Sequence, residues 1–367
     1  MKLNNTSLFI LLLAGALFLT GCAGSAGQRS ATGWPGLSAD QTTAYLADNR
    51  FVYAVDLNNH LEKWRFPITS DNKRSFYATP TLTTDGQLIA GSYENVLFSL
   101  DPETGVEKWQ FTDANNRYIA APLTVEQGIF APNVNNNLYA LDLQGNIQWT
   151  FPTAGPLWAT PSADPDCKCI YLPSMDHTLY SIDAQNGSLN WQTPDLGGSI
   201  VGTPAFGSGV LYTGTFANEL LALNANNGQV IWRTPTNDWV WGGPILKDNI
   251  LYFGDLSGTF YALDIENGSI KWQQQFDGAI TNSPLVTDDR IYFTTEAGSI
   301  FALDFGGKQL KTINLNDEKS KLKLNVSPVK AGDLILVAVA QTGTDQLLVA
   351  YDTDLNQQWA FIPETKK

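Results

Sequence analysis

Two histidines and three cysteines are the side chains of this 367-residue chain with the most reach into acid–base, redox or metal chemistry. His60 stands in "LNNHLEKW" and His177 in "SMDHTLY". Each occupies a place where sister segments put Gly or Asn, so both read as exposed turn residues. A Ser–His–Asp triad needs a histidine held between nucleophile and carboxylate, and no spacing here supplies one. Cys167 and Cys169 form "DPDCKCI" in a lengthened loop beside Asp164 and Asp166. Side chains at i and i+2 of a strand share a face but lie too far apart for an unstrained disulfide. A strained bridge, a soft-metal site and an incidental loop pair are the three readings of the cysteines. The two aspartates serve equally well as turn formers. No Gly-rich phosphate loop and no zinc pattern occur.

A second set of residues suits recognition rather than catalysis. Phe76 and Tyr77 in "SFYATP", Tyr118 in "RYIAAP", Trp158 in "PLWATP", and Trp239 and Trp241 in "NDWVWGGP" all precede a proline. Tyr77, Trp158 and Trp241 sit three residues before it, where other segments have Ile119, Val201, Thr281 and Asn325. Two readings are open: packing at the rim of a channel, or an aromatic face for an extended peptide, a glycan or a strand edge.

The elements that position these residues are repeated. "VYAVDLNNHLEKWRF" (52–66), "LFSLDPETGVEKWQF" (97–111) and "LYSIDAQNGSLNWQT" (179–193) are three of eight copies of one hairpin. An Asp column falls at 56, 101, 142, 183, 264, 304 and 352, with Asn224 in the remaining place. Intervals of 40 to 48 residues in a chain of short apolar runs broken by Gly, Asn and Thr mark propeller blades. Each copy carries two upstream strands, the inner one beginning at a Pro, where a missing N–H costs least. The spacing therefore predicts an all-β, eight-bladed propeller of four-stranded antiparallel blades over 34–367.

Within the hairpin, "NG" is expected to form a two-residue turn, and the column Asp to accept hydrogen bonds from turn amides. Trp64, Trp109, Trp149, Trp191, Trp232, Trp272 and Trp359 are expected on the outermost strand, docked on the neighbouring blade. Thr312 replaces the Trp in copy seven, which predicts one weaker inter-blade contact.

"SLDPETGVEKW", with its Asp, Thr-Gly and Trp, resembles the repeat of pyrroloquinoline-quinone (PQQ) dehydrogenases and their cofactor-free relatives. Together with the N-terminal segment below, the chain resembles the outer-membrane assembly lipoprotein (BamB) family, which implies a non-enzymatic scaffold. Cofactor-bearing members imply a Ca²⁺ site and a catalytic Asp, and no segment here matches those motifs, so neither PQQ nor Ca²⁺ is expected. The adjacent-cysteine disulfide of PQQ alcohol dehydrogenases is likewise not matched, because Lys168 intervenes.

The segment 8–20, "LFILLLAGALFLT", is too short for a comfortable membrane span and ends in "LTGC". This resembles a bacterial lipobox. It implies a signal peptide over 1–21, a lipidated Cys22 and a tether over 22–33. The protein is then extracytoplasmic and held to a membrane, the outer one if the cell has two and otherwise the outer face of the cytoplasmic one. With 36 acidic against 22 basic residues the net charge is −14, which repels nucleic-acid phosphates. The sequence reads as a monomeric, lipid-anchored propeller holding another envelope protein. A small PQQ-dependent oxidoreductase and a glycan- or peptide-binding surface protein are the alternatives.

Overall fold

The computed structural model describes residues 34–71, 73–316, 322–339 and 345–364. The expected signal peptide, Cys22 and the tether lie outside the described residues. Every regular element among the described residues is a strand. Thirty-two strands form eight antiparallel four-stranded sheets, each from one contiguous stretch: 36–66, 81–111, 123–152, 162–192, 205–235, 245–275, 285–314 and 329–361. These are blades 1 to 8 of an eight-bladed propeller. Among the described residues no strand passes from one blade to another, so the ring closes through contacts made by side chains. Leu37, Leu46 and Val55 of blade 1 share one apolar cluster with Leu336, Leu348 and Phe361 of blade 8.

Burial explains the sequence pattern within a blade. In blade 5 the middle strands Val210–Thr215 and Glu219–Asn224 are covered on both faces by neighbouring blades and are almost wholly buried. They therefore read as nearly unbroken apolar runs. The outer strand Val230–Pro235 has one face on a neighbour and one in water, and alternates.

The hairpin turn is longer than the dipeptide "NG" suggests. In blade 4, Asp183 N donates to Ser188 O and Gly187 N to Asp183 O, leaving four residues inside the loop. Of Asn186 and Gly187 only the glycine takes positive φ, at 74°. The expected two-residue turn is replaced by this wider loop. The ladder absorbs the change with a one-residue register shift between Ser181 and Ile182. Asp183 Oδ1 accepts from the amides of Gln185 and Asn186. The same role holds the Asp56 carboxyl below its ordinary range, through the Asn58 and Asn59 amides.

That turn is where neighbouring blades meet. The outer-strand Trp of one blade lies flat over the turn Gly of the next. A Cβ on Gly105, Gly145, Gly187, Gly228 or Gly268 would come within 2.6 to 2.7 Å of the preceding blade's Trp ring. The indole N–H then donates to the carbonyl just after the next blade's column Asp or Asn. Trp64 reaches Pro102 O at 2.8 Å, Trp191 reaches Ala225 O at 2.9 Å and Trp232 reaches Ile265 O at 2.9 Å. Burying such a ring contributes on the order of 2 kcal/mol before its hydrogen bond is counted.

Two of the eight junctions depart from this rule. At blades 7 and 8 the Trp position is filled by Lys311, which pairs with Ala302 as Trp272 pairs with Ala262, and not by Thr312 as expected; Leu355 replaces the turn Gly. Leu355 has φ 56° and is 1% exposed, filling the space an indole would take. The carbonyl left over, Thr353 O, accepts from Tyr292 at 2.7 Å and from Arg290, which also pairs with Asp354. The junction is rebuilt from the other side. At blades 8 and 1, Trp359 stacks on His60, whose φ of 66° occupies the glycine position; ring centroids are 4.8 Å apart.

A paired substitution measures the closeness of this packing. Gly228→Ala adds a methyl against Trp191 at positive φ, and should cost about 2–4 kcal/mol in urea denaturation. Gly209 has φ 75° but nothing within 4 Å of a new Cβ, so Gly209→Ala should cost only about 1 kcal/mol. Equal losses would show that the Trp-over-Gly contact is slack.

Candidate functional site

The connection from each outer strand to the next inner strand sorts its residues by alternation. Four residues before the Pro stand Phe76, Tyr118, Leu157, Ile200, Val240, Ile280 and Leu324, each at most 1% exposed. Three residues before it stand Tyr77, Ile119, Trp158, Val201, Trp241, Thr281 and Asn325, and all seven line one central cavity of about 230 Å³. Phe76 packs against Phe66 and Phe98, and a Cβ on Gly91 would meet Tyr118 at 2.6 Å. Phe76 and Tyr118 are therefore core residues, not part of a binding face. Neighbouring side chains on an extended segment point opposite ways, so adjacency to Tyr77 or Ile119 does not confer exposure.

The remaining aromatics form a chain of rings from solvent to the axis. Trp239, 43% exposed, stacks on Phe216 with centroids 4.5 Å apart. Phe216 meets Trp241 at 5.2 Å, and Trp241 meets Trp158 at 6.5 Å. Trp34 closes the run, edge-on to Trp241 at 5.2 Å. Sequence reasoning did not single out Trp34 or Phe216. Trp34 had a legible signal: other blades put Thr, Ala, Gly or Ser immediately before the Pro.

The cavity wall carries no Asp, Glu, His, Lys, Arg or Cys among the described residues. Its polar groups are Tyr, Trp, Thr, Ser and Asn side chains with backbone. Four of these are buried with no hydrogen-bond partner: Trp158 Nε1, Thr281 Oγ1, Asn282 Oδ1 and Asn325 Oδ1.

The histidines, cysteines and buried carboxylates lie elsewhere. His177 stands at φ 69° in a turn and contacts Asp195 Oδ1 at 3.1 Å. Cys167 and Cys169 are joined as a disulfide, with Cα atoms 5.2 Å apart. Cys167 lies in the turn ahead of the strand Cys169–Pro173, and Lys168 takes φ 55°, so the pair is not two positions of one strand. No group of three or more His, Cys, Asp or Glu among the described residues is placed to hold a metal. Asp255, fully buried, accepts from the Asn237 and Asp238 amides and from Tyr261, tying the loop that carries Trp239 to its blade. In blade 1 the equivalent residue is Asp48, 4% exposed. Burial pushes its carboxyl up to about 6.

A second concavity lies on the outer rim where blades 8, 1 and 2 meet. This groove of about 1010 Å³ runs along the unpaired edge of Glu62–Phe66, the outer strand of blade 1. Leu61 (65% exposed), Val106 (63%), Ile68 (76%) and Ile362 (55%) all line it. Leu61 and Val106 close the hairpin turns of blades 1 and 2, at the place where the other six blades have Asn146, Ser188, Gln229, Ser269, Lys308 and Asn356. Ile68 and Ile362 are additions peculiar to this place.

These features define a class: a closed eight-bladed propeller of PQQ-like repeats with an uncharged axial cavity. The chain belongs to the family described as outer membrane protein assembly factor BamB, whose model matches residues 48–235 and 217–359. It is similar in fold to the crystal structure of BamB from Moraxella catarrhalis. That likeness has a TM-score of 0.70 and 17% identity, covering 87% of this chain and 92% of that one. The computationally designed Ika8 protein matches with a TM-score of 0.72 and 12% identity, over 88% of this chain and 96% of that one. A tetrathionate hydrolase of Acidithiobacillus ferrooxidans is 23% identical over 178 residues. The match takes in 41% of this chain and only 35% of that relative's length.

Asp48 makes stability depend on pH. Its folded pKa is raised, so the native state holds a proton that the unfolded chain has lost between the ordinary carboxylate range and about 6. Stability is therefore full below that window and falls as pH rises through it. Asp48→Asn should remove this slope and stabilise the fold at pH 7 to 8 by an amount on the order of 2 kcal/mol, raising the melting temperature there, with little gain at pH 4. Melting curves across pH check it; an unchanged slope would refute the assignment.

Proposed function

We propose that this protein is a lipid-anchored, extracytoplasmic scaffold that holds a protein partner during outer-membrane protein assembly. The rim groove at blades 8, 1 and 2 carries the reading. Four exposed apolar side chains converge there beside an open strand edge, a combination that suits an extended apolar segment adding to the edge. Family membership supports the assembly role, and "LTGC" at 19–22 supports the anchor. The 1–21, 22–33 and 34–367 division and a monomeric ring belong to the same proposal.

An enzymatic reading has one point in its favour, the partial likeness to the tetrathionate hydrolase. The axial cavity weighs against the PQQ version of it. Ca²⁺ takes six to eight oxygen ligands, usually with carboxylates among them. PQQ is itself a tricarboxylate and calls for cations. The lining residues provide neither, so they do not fit that pair.

Two measurements test the proposal. Ile68→Glu combined with Ile362→Glu should leave melting nearly unchanged, since both side chains are exposed, while weakening co-purification of the barrel-assembly partner at least about tenfold. Ile231→Glu, at a solitary exposed position of blade 5, should weaken nothing. Equal effects of the two would remove the groove from consideration. Cys22→Ser should release the protein from membranes; retention would disprove the lipidation.

A further inference from the structure

The cysteine pair of blade 4 carries chemistry that neither the axial cavity nor the rim groove involves. Cys167 and Cys169 are joined in the turn between that blade's first two strands, Ser162–Asp164 and Cys169–Pro173. Blades 3, 5, 6 and 8 make the corresponding turn with two residues, as blade 5 does with Ser208 and Gly209. Blade 4 takes four, Pro165 to Lys168.

The fold gives the bridge no structural task. The strands it caps are already paired, Asp164 with Cys169, Ala163 with Ile170 and Ser162 with Tyr171. A cross-link stabilises chiefly by closing a long loop of the unfolded chain, and this one encloses Lys168 alone. The seven other blades hold the same turn without any cysteine.

The surroundings favour exchange instead. Cys167 is exposed and Cys169 half-buried, so an incoming nucleophile meets Cys167 Sγ first. Each sulfur has a hydrogen-bond donor beside it. Asn190 Nδ2 lies 3.7 Å from Cys169 Sγ, and the Tyr171 hydroxyl 3.8 Å from Cys167 Sγ. Burial and the Asp164 carboxylate push the Tyr171 hydroxyl up to about 12, so it keeps the proton it donates. Lys168, exposed between the cysteines, adds a positive charge near any thiolate that forms, opposed by Asp164 and Asp166. Donors that stabilise a departing thiolate speed its departure. No third His, Cys, Asp or Glu among the described residues is placed to complete a metal site with the pair.

We propose that Cys167–Cys169 is a thiol–disulfide exchange site that takes two electrons from a partner protein bearing two neighbouring thiols. The partner's first thiolate attacks Cys167 Sγ, the Cys167–Cys169 bond breaks, and Cys169 leaves as a thiolate beside Asn190. The partner's second thiolate attacks the partner's own sulfur in that mixed disulfide and releases Cys167. The partner gains a disulfide and loses two electrons and two protons, which the cysteine pair gains on becoming a dithiol. Each bridge serves once, so no other oxidant enters. A partner with one thiol is expelled again by Cys169, which is why the partner is a dithiol. Blade 4 lies outside the groove at blades 8, 1 and 2, and the two sites are tested independently.

The full air-oxidised chain is mixed with a reduced Cys-Gly-Ser-Cys peptide, quenched at intervals with a thiol alkylator and digested to locate the label. On the order of minutes, Cys167 and Cys169 should be labelled together, with one peptide disulfide formed per bridge lost. Asn190→Leu should slow this at least about threefold. In Cys169→Ser the Cys167 thiol should form a mixed disulfide with oxidised glutathione at least about tenfold faster than the Cys169 thiol does in Cys167→Ser. The double variant, Cys167→Ser with Cys169→Ser, should melt within about 2 °C of the parent. A bridge that survives the peptide for hours in the folded chain overturns the proposal. So does a double variant melting far below the parent, because the bridge is then structural. Equal rates at the two thiols overturn the order of attack, and reduction by glutathione as fast as by the peptide overturns the dithiol partner.

Discussion

One contact recurs around this ring and everything else is hung on it: an indole of one blade lying flat over the backbone of the next blade's turn. Isolated four-stranded sheets of this size bury too little to persist, and each blade gains its second covered face from a neighbour. The turn must therefore present bare backbone, which is why a Gly with positive φ stands under six tryptophans in succession. The column Asp shapes the same turn, and the carbonyl after it receives the indole N–H. Turn chemistry and inter-blade adhesion are one device.

The two departures show how far the device bends. Where the indole is missing, the space passes to Leu355 from the opposite side and the carbonyl to Tyr292 and Arg290. Volume and hydrogen bond are both conserved although neither residue is. At the junction of blades 8 and 1, His60 lies under Trp359 in place of Gly, and Trp359 Nε1 is left without a partner. The apolar rim groove opens at that junction.

Much of this was legible in the sequence because repetition compares each position with seven others. The fold, the blade boundaries and the outer-strand tryptophans follow from the columns. Phe76 and Tyr118 were misplaced because aromatic identity was weighed above strand alternation, which assigns them to the same buried column as Leu157 and Ile200. The cysteine pair was judged as two positions of a strand, whereas the left-handed Lys168 folds the chain back between them. Trp34 was visible as a large residue in a column of small ones. The groove was not visible at all, since Ile68, Val106 and Ile362 meet only once the ring has closed.

Because each blade is one unbroken stretch of chain, seven junctions join segments close in sequence and the eighth joins segments some three hundred residues apart. Only that last junction bears the entropy of closing a long loop. It is the natural gate of the circle, since parting the blades there frees the most chain entropy. A guest seated in the groove straddles this gate, and by mass action it would act as a clasp, coupling occupancy of the rim to integrity of the whole circle.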